Sequence, residues 1–291
     1  MSKLRGALYQ LHLVKSEVAR ALIPKEFRLV EAFGYTLGGF FLANYDDSPA
    51  GVFDELVVIA GIVWNPPTSC AWASKVLVNS SEACLHGRKD VGLPSDVAKF
   101  SKLRCCPEQR ITAKTWPKES RHNGILNMIG FSSSISSPKF HLDTEVTEIN
   151  GPAASANNIF RINLVSTVPK EYSKAWLGPP IKMTLPSFSG RTEYNPTLLK
   201  YSCQVECRKS LKDRVRVVQP LEIFGPPATE QKGSEDLSSN FVHQAAAQEA
   251  TEKRSRLSLD VMLSKPILAL EFNCLNMNVE APLELSQPNE V

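Results

Sequence analysis

The sequence has 291 residues, with 33 Lys and Arg against 30 Asp and Glu, so its net charge is +3. With 43% hydrophobic and 22% charged residues it can bury a substantial core, and its basicity is too mild for a nucleic-acid binder. No apolar run reaches the roughly 18 residues of a membrane span, so no transmembrane segment is expected.

The N-terminus has neither a signal-peptide core nor the Ser- and Arg-rich leader of a plastid transit peptide. The expectation is a cytoplasmic protein. A plastid location follows instead if the N-terminus is incomplete.

"ALYQLHLV" (7–14) reads as an apolar strand. "KSEVARALIP" follows as a short helix, with Ser16 as its cap and Pro24 at its end. "FRLVEAFGYTLGGFFLANY" is strand-like but broken by Gly34 and by Gly38-Gly39, where a bend or bulge is expected. "LVVIAGIVW" and "CAWASKVLVN" are two further strands, and Ser81 to His86 reads as a helix stopped by Gly87. Residues 101–139 carry no readable element.

Strands return at 140–149, 158–165 and 199–208. Residues 226–256 are polar and read as a flexible low-complexity insertion in which "AAAQEATEKR" forms a transient helix. In the last strand Leu268, Leu270, Phe272 and Cys274 share one parity, whereas Leu275, Met277 and Val279 share the other. That slip predicts a β-bulge near Cys274.

Many strands, few helices and no βα alternation give a mainly β (α+β) chain, an antiparallel sheet or barrel. Residues 1–225 form one domain, 226–256 an insertion, and 257–291 strands completing the same domain.

Seven cysteines carry no pairing signature. Cys105 and Cys106 are adjacent. Cys203 and Cys207 on one strand would lie roughly 13 Å apart, too far for a disulfide, so reduced thiols are expected. The five histidines never fall at ligand spacing with cysteines. Neither a metal nor a cofactor is expected.

The run "ACLHGRKDVGLPSDVAKF" (83–100) resembles the signature of the acetoacetate decarboxylases, matching at Gly87, Arg88, Pro94 and Ala98. More closely, the chain resembles the plant neoxanthin-deficient 1 family, which has a fold like that of the decarboxylases. The stretches that carry this are a long one from "ALYQLHLV" to "SKVLVNS", then "GRKDVGLPS", "GPPIKMTLPSFSG", "LLKYSC" and "VMLSKPILALEF". The resemblance implies an acetoacetate decarboxylase-like closed antiparallel β-barrel.

Decarboxylase chemistry needs an amine with a lowered pKa to form a Schiff base. The two lysine positions of that signature read Ser95 and Asp96 here. Neither makes a Schiff base, and Asp96 brings negative charge where the reaction uses positive. Of the decarboxylases' other active-site positions, Glu55 keeps a carboxylate. A second acid falls at about Phe40, and the substrate-binding arginine near Leu13.

The expected ligand-binding residues are therefore Glu55, Phe40, Arg88, Leu93, Pro94 and Phe188, around a pocket that accepts an apolar ligand. Glu55 is an acid or base, a hydrogen-bond anchor, or a carboxylate paired with a cation. Arg88 either holds the helix end or reaches the ligand. Lys182 is either a relocated amine nucleophile or an outward lysine on an alternating strand. "LPSFSG" reads as a tight loop at the pocket rim and lacks the GxSxG of a nucleophile elbow.

The resemblance implies an accessory protein required for neoxanthin biosynthesis and so for abscisic acid supply, binding an apolar isoprenoid such as a xanthophyll and lacking Schiff-base decarboxylase activity. The alternatives are an enzyme using Glu55 as general acid or base, and a scaffold that recruits a pathway-enzyme partner through 226–256.

Overall fold

Strand β1, Ser2–Lys15, is apolar on both faces, and the fold follows from that. Its even residues Leu8 and Val14 are fully buried in one cluster, while Ala7 and Tyr9 belong to another. A strand buried on both sides must sit between two layers. The computed structural model of the chain describes residues 1–102, 144–149, 160–165, 182–190, 192–207, 214–226 and 242–285.

After β1 come helix α1 (Ser16–Leu22) and the meander β2 (Tyr35–Asp47), β3 (Phe53–Asn65) and β4 (Thr68–Val78). Helix α2 (Ser81–His86), a π turn (Gly87–Val91) and β5 (Ser95–Lys102) follow. Then come β6 (Thr144–Glu148), β7 (Arg161–Val165), β8 (Lys182–Gly190), β9 (Leu198–Cys207), β10 (Arg214–Val218) and β11 (Glu222–Phe224). Helix α3 (Val242–Met262), β12 (Lys265–Val279) and β13 (Leu283–Leu285) end the described chain.

Strands β4-β3-β2-β1-β12-β9-β8 pair in that order, and β8 returns to β4, closing a seven-strand barrel. Every joint is antiparallel except the last, a short parallel pairing of Ala71 with Ser187 and Trp72 with Phe188. Outside the barrel, β5, β6, β7 and β11 extend the sheet from β4.

The outer face of β1–β4 packs on this extension and on helices α1 and α3, around Leu8, Phe40, Leu56, Ile162, Val261 and Met262. Side chains of this kind contribute about 1.5–3 kcal/mol each on full burial. The inner face forms the lumen. Close approach is enforced at Gly39, where φ is +126° and a Cβ would stand 2.0 Å from the Gln10 carbonyl oxygen.

Several expectations are corrected here. The segment 226–256 is not one flexible insertion: residues 242–256 are the first part of the 21-residue α3, and 227–241 lie outside the described residues. The helix docks because Ser255, Ser258, Val261 and Met262 are buried against the barrel. Gly87 does not stop α2 but continues helically (φ −57°, ψ −43°) into the π turn. Gly92, left-handed at φ 68°, is the stop.

"LPSFSG" belongs to strand β8 rather than to a loop. Ser16 opens α1 without capping it, since Lys15 occupies the cap position. The parity slip in β12 is present: Cys274 is left-handed (φ 54°), and Phe272, Leu275 and Met277 share one cluster. Residues 103–143, with Cys105 and Cys106, lie outside the described residues. Among those described, no helix is long and apolar enough to cross a membrane.

Candidate functional site

The lumen holds a cavity of about 590 Å³, within the range of small-molecule sites. Strand alternation decides what reaches it. On β2 the lumen side carries Phe41 and Tyr45, and on β3 it carries Glu55, Val57 and Ile59; Leu185, Tyr201 and Cys203 come from β8 and β9. Most of the wall is apolar. No lysine or arginine stands among the described residues that line it.

Glu55 places a carboxyl on this wall from β3. The Tyr45 hydroxyl donates to its Oε2 at 2.8 Å, and Phe53 stacks on the Tyr45 ring with centroids 4.3 Å apart. The Oε1 atom has no hydrogen-bond partner among the described residues. Glu55 keeps some exposed surface, but that surface meets the enclosed lumen, so loss of bulk solvation governs its charge. Burial pushes its carboxyl up to about 7, against the opposing pull of the Tyr45 hydrogen bond. Burial, then the Glu55 charge, pushes Cys203 up to about 12. Tyr45 and Tyr201 also lie well above the ordinary phenol value, burial again being the main cause.

The corner at 87–96 forms another part of the wall. The Ser80 side chain caps α2 by accepting from the Ala83 backbone N–H at 3.2 Å. The chain then runs through the π turn so closely to β5 that a Cβ on Gly87 would meet Ser95 Oγ at 2.6 Å. Gly87, Asp90, Val91, Leu93 and Ser95 line the cavity. His86 lies at its edge and pairs through Nδ1 with Asp90.

Asp96, on the opposite face of β5, turns away from the lumen. Arg88 donates to its Oδ1 at 2.8 Å and Lys75 to its Oδ2 at 3.2 Å. The buried Lys75 also donates to Glu148 at 2.7 Å and to Ser255 at 3.0 Å, tying β4, β5, β6 and α3 together.

Of the expected site residues, the structure brings Glu55 and Leu93 to the cavity and leaves the others off its wall. Phe40 is corrected by one residue: it is buried in the outer core against His12, and its neighbour Phe41 faces the lumen. Arg88 holds the corner, donating to the Ser95 carbonyl at 2.6 Å as well as to Asp96. The Pro94 carbonyl accepts from the Val76 N–H, so Pro94 serves the β4–β5 joint. Phe188 packs outward on Phe27 and Trp72.

Lys182 is exposed at the start of β8, off the cavity. The expected negative charge of Asp96 is likewise not in the lumen. Tyr45, Tyr201, Ser187 and Cys203 went unread. Tyr45 was within reach, since it shares parity with Phe41 on β2. The β8 and β9 residues were not, because only barrel closure brings them opposite Glu55.

No family model matches the chain. It is 60% identical over 280 residues to Protein NEOXANTHIN-DEFICIENT 1 of Solanum lycopersicum, covering 95% of this chain and 89% of that protein. Identity to the protein of the same name from Arabidopsis thaliana is 55% over 279 residues, covering 96% and 90%. The one from Oryza sativa subsp. japonica is 52% identical over 277 residues, covering 95% and 85%. Solved structures similar to this chain include the enduracididine biosynthesis enzyme MppR complexed with pyruvate, at a TM-score of 0.49 and 10% identity, covering 98% of this chain and 89% of that one. An acetoacetate decarboxylase from Legionella pneumophila follows at 0.48 and 10%, covering 98% and 88%.

Proposed function

The chain belongs to the neoxanthin-deficient 1 family, and from that premise we propose that it is an accessory protein of neoxanthin biosynthesis, holding an apolar, oxygen-bearing isoprenoid in the barrel lumen. The observation that carries this reading is a lumen of about 590 Å³ with a mostly apolar wall and the Glu55–Tyr45 pair as a polar anchor. Sites for apolar ligands have this composition, many carbon contacts and a few polar groups that fix orientation. A xanthophyll, with oxygens on a hydrocarbon frame, is the ligand class in view. Abscisic acid supply follows as a downstream consequence of the same role.

That Ser95 stands at the wall where the decarboxylase signature has a lysine, with no lysine among the described lining residues, supports a protein without Schiff-base chemistry. One observation favours a second reading, an enzyme of isoprenoid metabolism. A carboxyl with a pKa of about 7 is matched to proton transfer at neutral pH, so Glu55 would serve as general acid or base.

Native mass spectrometry of the purified chain after exposure to a leaf xanthophyll extract tests both. Retention of an unchanged pigment, weakened in E55L where the polar anchor is gone, supports the accessory binder. A chemically altered pigment, absent with E55Q, supports the enzyme. A pigment that is neither retained nor altered would overturn the lumen as the working site.

A further inference from the structure

Resting on the reading of the lumen as an isoprenoid site, we infer that it selects a neutral ligand presenting an acceptor oxygen (an epoxide, ketone or aldehyde), and that Glu55 meets this oxygen as a hydrogen-bond donor through Oε1. The geometry divides the carboxyl into two ends. Oε2 already accepts from Tyr45, whereas Oε1 has no partner among the described residues and stands at the cavity wall. A carboxylic acid held this way offers one O–H to whatever occupies the lumen.

The charges around the cavity point the same way. The carboxylates along the described wall are Glu55, Asp90 and Glu280, and the His86 side chain there is paired with Asp90. An anionic ligand would leave water with no lysine or arginine among the described lining residues to receive it, and near Asp90 and Glu280 it would meet like charge.

The groups that face Glu55 are Tyr45 from β2 and Tyr201 and Cys203 from β9. Their acidic protons are held firmly, and none supplies a positive charge that would force Glu55 to ionise. Burial keeps the acid form in play near neutrality. The lumen is thus built against carboxylates by its want of lysine and arginine among the described lining residues, and for a neutral acceptor oxygen by the Glu55 proton.

The test is isothermal titration calorimetry of the full chain with three probes of one ring skeleton: β-ionone (ketone), β-ionol (alcohol) and β-ionylidene acetate (carboxylate). At pH 6 the ketone should bind at least roughly tenfold more tightly than the carboxylate, since the carboxylate must be desolvated into a wall without lysine or arginine. At pH 9 ketone binding should fall by roughly tenfold as Glu55 loses its proton, while the alcohol, both donor and acceptor, changes little. E55Q keeps an N–H donor that does not titrate, so its ketone binding should persist and be independent of pH.

A carboxylate bound as tightly as the ketone, or ketone binding in the natural chain that ignores pH, overturns the inference while leaving the lumen an isoprenoid site. Failure of all three probes to bind a chain whose circular dichroism shows it folded overturns that reading and this one together.

Discussion

Ser95 and Asp96 are adjacent in the chain and face opposite sides of β5: Ser95 lines the lumen, and Asp96 is clasped outside it between Arg88 and Lys75. The pair divides the corner into a wall and a brace. The hydroxyl stands where ligand chemistry would occur, and the charge that follows it is neutralised before it can act on the lumen.

That division gives a test by restoration. Incubating the natural chain with acetoacetate and borohydride should leave no mass increment, since Ser95 carries no amine. S95K should place an ammonium in an apolar lumen, where burial lowers its pKa and frees the amine, so an adduct should be trapped at position 95. An adduct on the natural chain would overturn the assignment of an inert wall.

Glu55 makes the fold sensitive to pH in a definite direction. Its carboxyl rises from 4.5 to about 7 on folding, so the native state binds the proton more tightly than the unfolded chain. Its contribution is fully present below the unfolded value and is lost as pH rises through the native one, a change of about 3 kcal/mol. Urea unfolding of the natural chain and of E55Q, from pH 4.5 to 8, should show the variant gaining relative stability by that order. Parallel curves would mean that Glu55 is not desolvated.

Lys75 is a buried cation between Glu148 and Asp96, and removing it strands the Glu148 carboxylate, which is 2% exposed. K75M should therefore destabilise by about 3–5 kcal/mol. The double variant with E148Q should recover part of that loss in chemical denaturation. No recovery in the double variant would show that the cost lies in packing, such as the approach of Lys75 to the Phe160 ring, and not in charge.

Helix α3 is fixed by its last turns. Met262 is fully buried, so M262A should cost about 2–5 kcal/mol by thermal or urea unfolding. Limited proteolysis should spare residues 254–262, where Arg254 donates to the Ser74 carbonyl and Ser258 to the Ser74 hydroxyl. Early cleavage there would contradict the docked helix.

Much of the architecture was legible in the sequence. The strands from β1 to β4 announce themselves by length and β-branched residues, and β12 shows its irregularity at Cys274 as a break in period. Glu55 came from the resemblance to the decarboxylases, and the corner at 87–96 stood out by its glycines and proline. What failed was the assignment of faces. Phe40 and Phe41 are equally apolar because β2 is buried on both sides, so the pattern has no polar phase to say which one meets the lumen. The polar first half of α3 was legible only as a transient helix, because its attachment depends on a few residues at its end.

By itself the sequence determined local matters: which segments are extended, where the backbone must turn at glycine, and that the amine of the decarboxylase signature is missing at 95 and 96. Those depend on neighbours in the chain, through alternation and φ/ψ preference. The tertiary structure alone decided that β8 closes on β4, that Tyr201 and Cys203 stand opposite Glu55, and that Asp96 points to Lys75 and Arg88. Each of those contacts joins residues brought together only by non-local strand pairing, and it is the enclosure so formed that removes water from Glu55 and raises its pKa.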